Sequence, residues 1–168
     1  MMKSLFVDEC KQNPYLLVGF TIANFEQHLM RKTLRALLLP WQRSLHFKAE
    51  NLRRKKLILQ LLHRSNCRLV VVKCHSRPHG SARLCALGSL IEFAQAGNFR
   101  NVVLEMDETV RQKDHQMLKR HGSYFEWDHR ERHEEPLLWV ADAVAWCINR
   151  GGDWERIVRP MIVETIEC

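Results

Sequence analysis

The sequence predicts an α/β or mixed α+β fold with a half-parallel sheet, and three observations carry that prediction. Two apolar runs, residues 4–10 (SLFVDEC) and 15–23 (YLLVGFTIA), flank the turn-forming link KQNP, which predicts an antiparallel hairpin. Later apolar runs at 68–74 (RLVVVKC) and 101–107 (NVVLEMD) alternate with helical patterns, the arrangement that generates parallel strands. Residues 136–150, PLLWVADAVAWCINR, are apolar nearly all round and therefore read as a buried helix.

At 168 residues the chain is long enough for one domain with a real core, spanning 1–168. No apolar run reaches the roughly 20 residues of a membrane span. The first residues, MMKSLFVDEC, turn acidic at once, so we expect no secretory leader and a cytoplasmic protein with no membrane partner. The six cysteines are irregularly spaced and are expected to be reduced thiols. Twenty-six Lys and Arg against 19 Asp and Glu give +7, which admits an anionic partner without requiring one.

Taken in order, 4–10 is a buried strand that ends on Asp8 and Glu9, and 15–23 is its partner. Asn24 caps a helix over 25–39, which Pro40 ends. Residues 42–47 are expected to be extended. Residues 50–63 form a helix with Leu57, Ile58, Leu61 and Leu62 turned inward. Arg53, Arg54, Lys55 and Lys56 lie in its first half, where positive charge opposes the helix dipole. With Lys48 they form either a solvated basic face or a phosphate-contacting patch. The continuous Val run of 68–74 suits a central parallel strand. After the turn SRPHGS, a helix over 81–96 stops at Gly97-Asn98. The strand 101–107 ends in Glu105, Asp107 and Glu108. A helix over 110–121 closes at Gly122, 123–127 is a short strand, and 128–135 (DHRERHEE) is a polar, mobile loop. Pro136 opens the apolar helix and Gly151-Gly152 stop it. The segment 153–168 takes no clear assignment.

One residue of the apolar helix demands an explanation. Asp142 sits between Ala141 and Ala143 with no Lys or Arg within a turn of it, and a buried unpaired carboxylate is costly. Two strands end in acids, and in open α/β sheets sites form beyond the carboxyl ends of strands. Asp8 and Asp107 are therefore expected to converge with Asp142. Three carboxylates repel unless a cation lies between them. Oxygen-only ligands favour Mg²⁺ or Mn²⁺, and two such ions would cleave phosphodiesters.

LFVDE, LHFKAENL, VVLEMDE and LLWVADAVAWCINR together resemble the DUF3800 family over about residues 4–150. The resemblance implies a ribonuclease H-like fold: a mixed central sheet, with the N-terminal antiparallel hairpin and parallel strands, flanked by helices. It implies metal-dependent nuclease activity on RNA or DNA. It places the family's acids on Asp8, Glu9, Asp107 and Asp142 and its histidine on His46. In this reading Asp8, Asp107 and Asp142 bind the metal, Glu9 assists or orients, and His46 protonates a leaving group or contacts a phosphate. The chain has Cys10-Lys11 where the family usually has Ser-Gly, and Trp139 where it often has Gln.

Two other readings compete. The domain could be catalytically weak or inactive and bind nucleic acid, a protein partner or a second copy of itself through its basic face. A zinc site is the rival at His129 and His133, or at Cys74, His75 and His79, although neither group has a closed ligand pattern. No phosphate-cradling glycine loop and no G-x-S-x-G is present.

Overall fold

The computed structural model describes residues 2–75, 78–121 and 124–168. Its centre is a six-stranded mixed sheet. The strands are β1 (Lys3–Cys10), β2 (Tyr15–Thr21), β3 (Arg68–Cys74), β4 (Phe99–Glu105), β5 (Glu126–Arg130) and β6 (Ile162–Glu167). They lie in the order β5-β4-β1-β2-β3-β6. The hairpin is antiparallel, with Asp8 opposite Val18, and β3 continues it antiparallel to β2. β4 pairs parallel with β1, β5 with β4, and β6 with β3. The Val run of β3 thus has one antiparallel and one parallel neighbour, and every strand except β2 ends at the same edge of the sheet.

The helices are α1 (Asn24–Ala36), α2 (Leu52–Arg64), α3 (His79–Ala96), α4 (Arg111–His121), α5 (Leu137–Arg150) and α6 (Gly152–Val158). Period-two alternation of apolar residues gives the sheet a core on each face. Phe6, Val18, Phe20, Val71 and Val103 meet residues of α1, α2 and α5. Leu5, Val7, Leu17, Val72 and Leu104 meet α3 and Leu118 of α4. Buried side chains on nearly every side of α5 confirm it as the central helix of the first layer. Gly151 and Gly152 both take positive φ, +73° and +58°, which lets the chain turn straight from α5 into α6.

Several elements differ from the sequence expectation. Instead of an extended segment at 42–47, a 3₁₀ turn forms at Phe47–Ala49. In α2 the inward residues include Leu59, while Leu57 is 47% exposed. The fifth strand lies three residues further on than expected, so Asp128, His129 and Arg130 belong to β5 rather than to a loop. The remaining segment 131–136 is held down: Arg31 bridges Glu135 at 2.9 and 3.1 Å, and Trp139 Nε1 donates to Arg132 O at 2.8 Å. The unassigned tail supplies α6 and β6, whose exposed positions hide it from periodicity. Cys74 and Cys168 are joined in a disulfide, while Cys10, Cys67, Cys85 and Cys147 are free thiols. No helix among the described residues is long and apolar enough to cross a membrane. The SRPHGS turn at Ser76-Arg77, the helix stop at Gly122 and the first residue of the expected strand 123–127 lie outside the described residues.

Candidate functional site

Alternation in β1 sends the neighbours Asp8 and Glu9 to opposite faces of the sheet. Asp8 shares the face of Phe6, towards α5, and Glu9 shares the face of Leu5 and Val7, towards α3. In β4, Glu105 has the parity of Val103, again towards α5. Packing of α5 over β1 and β2 brings Asp142 to the same place.

These three acids converge on one guanidinium, that of Arg132. Its Nη2 lies 3.2 Å from Asp8 Oδ2 and 2.8 Å from Glu105 Oε2. Its Nε donates to Glu105 Oε1 at 3.0 Å. Its Nη1 lies 3.2 Å from Asp142 Oδ2 and donates to Leu45 O, also at 3.2 Å. The Phe47 N–H donates to Asp142 Oδ2 at 3.1 Å. Trp139 fixes the backbone of Arg132 through its indole N–H.

The charge here does not balance: three carboxylates face one cation. Burial, then Glu105 and Asp142, push the Asp8 carboxyl well above its ordinary range, and Arg132 only partly opposes them. Burial and the nearby Asp142 and Asp8 also push the Cys10 thiol up. Burial works against the charge on Arg132, but Asp142, Asp8 and Glu105 outweigh it and hold the guanidinium firmly protonated.

On the other face Glu9 joins a buried network. Arg83 grips Asp114 in two parallel bonds, 2.9 Å from Nε and 2.6 Å from Nη2, and reaches Glu9 Oε2 at 2.6 Å. Tyr15 donates its hydroxyl proton to Glu9. His129 Nε2 lies 3.2 Å from Asp114 Oδ2. Burial pushes the Asp114 carboxyl up, yet Arg83 and His129 more than reverse it, and it titrates below its ordinary range.

Of the residues singled out from sequence, Asp8 and Asp142 meet as expected. Glu9 is drawn instead to Arg83. Asp107 stands beyond the end of β4, where Lys11 Nζ donates to it at 2.7 Å and Thr109 donates twice. Lys11, then Thr109, lower its carboxyl to about 2. The carboxylate that meets Asp8 is Glu105. His46 is exposed, with Nε2 3.4 Å from Ser44 Oγ. His129 is committed to Asp114, and the side chain of His79 lies outside the described residues.

The basic cluster divides. Arg54 bridges Glu50 and donates to Leu37 O at 2.6 Å. Lys55 donates to Glu50 O at 2.7 Å and lies over the Trp146 ring at 4.8 Å. Both hold the 3₁₀ turn against α2, which explains the positive charge in this helix's first half. Lys48, Arg53 and Lys56 face solvent. Sequence reasoning missed Glu105, Arg132, Arg83 and Asp114. Parity in β4 puts Glu105 and Asp107 on one face without choosing between them, and nothing in the local pattern points to the other three.

Two clefts flank β1. One of about 500 Å³ is lined by Asp8, Glu9, Glu105, Asp107, Lys11 and Arg83. The other, about 600 Å³, is lined by Asp142, Trp146, Lys48 and Arg150 and shares Glu9 and Lys11. The first cleft is predominantly acidic, while the second sets Lys48 and Arg150 beside the acids, so positive charge reaches the cluster from one side.

The donor set of Asp8, Glu105 and Asp142 is oxygen-only, crowded and short of positive charge, which fits a hard divalent ion. The space between the acids is taken by the Arg132 guanidinium.

No protein-family model matches this chain, and no curated protein matches it. Among solved structures it is similar to one described as the PCNA:RNase HII complex from Archaeoglobus fulgidus. The two share 13% identity and a TM-score of 0.60 over 95% of this chain and 78% of that one. The class of fold is ribonuclease H-like, as the order of strands and the two helical layers already indicate.

Proposed function

We propose that this chain is a Mg²⁺- or Mn²⁺-dependent phosphodiester hydrolase acting on nucleic acid, and that it belongs with the DUF3800 proteins its motifs resemble. One observation carries the reading: Asp8, Glu105 and Asp142 converge from β1, β4 and α5 at the carboxyl edge of the sheet. These acids would hold the ion, which when bound polarises a phosphate oxygen and makes an attacking water more acidic. The remaining work falls to the protein's own groups. Lys11, Lys48 and Arg150, on the walls of the two clefts, draw in and register the phosphates. Arg132 neutralises the acids while they wait and can turn its charge toward a phosphate once displaced. His46, one residue from the amide that holds Asp142, is placed to contact a phosphate or return a proton to a leaving oxygen.

The position of Arg132 also supports a second reading. A guanidinium bonded to all three acids serves as a built-in cation, as expected of a domain that binds nucleic acid or a protein partner without cleaving. The test is a pair of measurements: cleavage of labelled single- and double-stranded RNA and DNA with Mg²⁺ or Mn²⁺, and calorimetric titration of each metal into wild type and Asp142→Asn. The hydrolase reading expects metal binding and EDTA-sensitive cleavage, both lost in Asp142→Asn. Nucleic-acid binding with no metal uptake and no cleavage would replace it with the second reading.

A further inference from the structure

Three cysteines distant in sequence share one spot on the α3 face of the sheet. Cys74 ends β3, and Cys168 follows β6, the parallel neighbour of β3. The Cys168 N–H donates to Lys73 O at 2.8 Å, which extends the ladder to the position of the disulfide. Cys85 projects from α3, the helix that covers this face of β3. Its Sγ and the two bridged sulfurs all lie within 4.8 Å of one another. Cys85 is a free, half-buried thiol, Cys74 is buried, and Cys168 is half-buried.

We propose that Cys85, Cys74 and Cys168 form a thiol–disulfide exchange site, in which Cys85 takes over the bridge to Cys74 and releases Cys168 as a thiol. A free thiol held against a disulfide is the geometry that exchange requires. The Cys85 thiolate attacks Cys74 Sγ; a Cys85–Cys74 bond forms as the Cys74–Cys168 bond breaks, and Cys168 departs as a thiolate that takes up the proton Cys85 gave to solvent. One disulfide and one thiol remain, so no outside oxidant or reductant enters the step. The direction follows from exposure: a departing thiolate is better solvated at half-buried Cys168 than at buried Cys74. Exchange moves a covalent tie. In one isomer the bridge fastens edge strand β6 to β3; in the other it fastens α3 to β3 and leaves β6 without a covalent tie. The reactants this site takes are therefore disulfides and thiols, its own pair first.

The test uses the full chain, oxidised and reductant-free. It is held at about pH 8.5, where thiolates are abundant, then quenched in acid, unfolded, alkylated and mapped by mass spectrometry. Cys10, Cys67 and Cys147 serve as internal standards. The expected result is label shared between Cys85 and Cys168, a Cys74–Cys85 peptide, and a ratio independent of protein concentration. Cys85→Ser, or Cys85→Ala if the serine variant does not fold, is expected to show no label at Cys168. Label at Cys85 alone, with Cys74–Cys168 as the sole bridge at every time point, overturns the proposal. So does equal Cys168 label in wild type and the Cys85 variant.

Discussion

The two faces of the sheet handle neighbouring acids in opposite ways. On the α3 face, Glu9 and Asp114 meet Arg83, with His129 and Tyr15 filling the remaining hydrogen-bond positions. On the α5 face, Asp8, Glu105 and Asp142 share Arg132. Both networks centre on one arginine, buried Arg83 or half-buried Arg132, yet their carboxyls shift in opposite directions: Asp114 is lowered and Asp8 is raised. The first network is satisfied and belongs to the scaffold. The second carries surplus negative charge between two clefts, which a scaffold gains nothing from keeping.

The largest expected effect breaks the satisfied side. Arg83→Met leaves Asp114 buried without its main partner and should cost about 3 kcal/mol, or ~6–12 °C in Tm, read by calorimetry. A drop under ~2 °C would mean the two faces do not differ as described. Next is catalysis: Asp142→Asn should reduce metal-supported cleavage about a hundredfold or more while its metal-free Tm stays at or above wild type, because it relieves repulsion. Lowered stability together with full activity would make Asp142 a structural residue.

Metal response follows. At a hundredfold excess over Kd, Mg²⁺ or Mn²⁺ should stabilise wild type by about 2.7 kcal/mol, and Asp8→Asn should lose most of that gain. Arg132→Ala should bind metal more tightly than wild type, since the acids lose their internal cation; an unchanged affinity would place the ion elsewhere.

The pH dependence is smaller and has a sign on each side. With the Asp8 pKa raised in the folded state, the fold holds more protons than the unfolded chain above about pH 3.9. Stability therefore falls as pH rises through the window up to that raised value, and Asp8→Asn should flatten this limb. Asp107, lowered to about 2, contributes stability that is full above about pH 3.9 and lost as pH falls toward 2. Asp107→Asn should remove that acid-side loss, a small one because the pair is partly exposed. Chemical unfolding across pH reads both limbs. Smallest of all, charge reversal at Lys48, Arg53 or Lys56 should lower the salt slope of nucleic-acid binding by about one for each phosphate the side chain had neutralised, whereas Arg54→Glu should instead lower Tm by breaking its tie to Glu50 and Leu37.

What is legible in the sequence follows from what each residue's neighbours reveal. Asp142 stands out because every residue around it on the helix is apolar, and Asp8 because it ends the hairpin's first strand. Glu105 and Asp107 share a parity, so periodicity cannot choose between them; the choice rests on β4 stopping at Glu105, and strand ends are poorly marked where acids follow one another. The same alternation rule, applied to the adjacent Asp8 and Glu9, separates them at once. Arg132 lies in a polar turn with no pattern of its own, and only the packing of 131–136 against α1 and α5 reveals its target. β6 escapes notice because an edge strand with exposed positions has no apolar run to announce it.

Arg132 reaches Asp8 across 124 residues of chain, and this separation has a consequence for synthesis. The first hairpin emerges from the ribosome early, but β4, the 131–136 turn and α5 are made far later. Until they arrive, Asp8 has neither its counter-charge nor the acids that raise its pKa, and the Asp8 face of the sheet lacks its central helix. Contacts of such long range close late and slowly. The carboxylate cluster is thus a product of the final stages of folding, and a nascent chain paused anywhere before α5 holds the hairpin without the three-acid cluster.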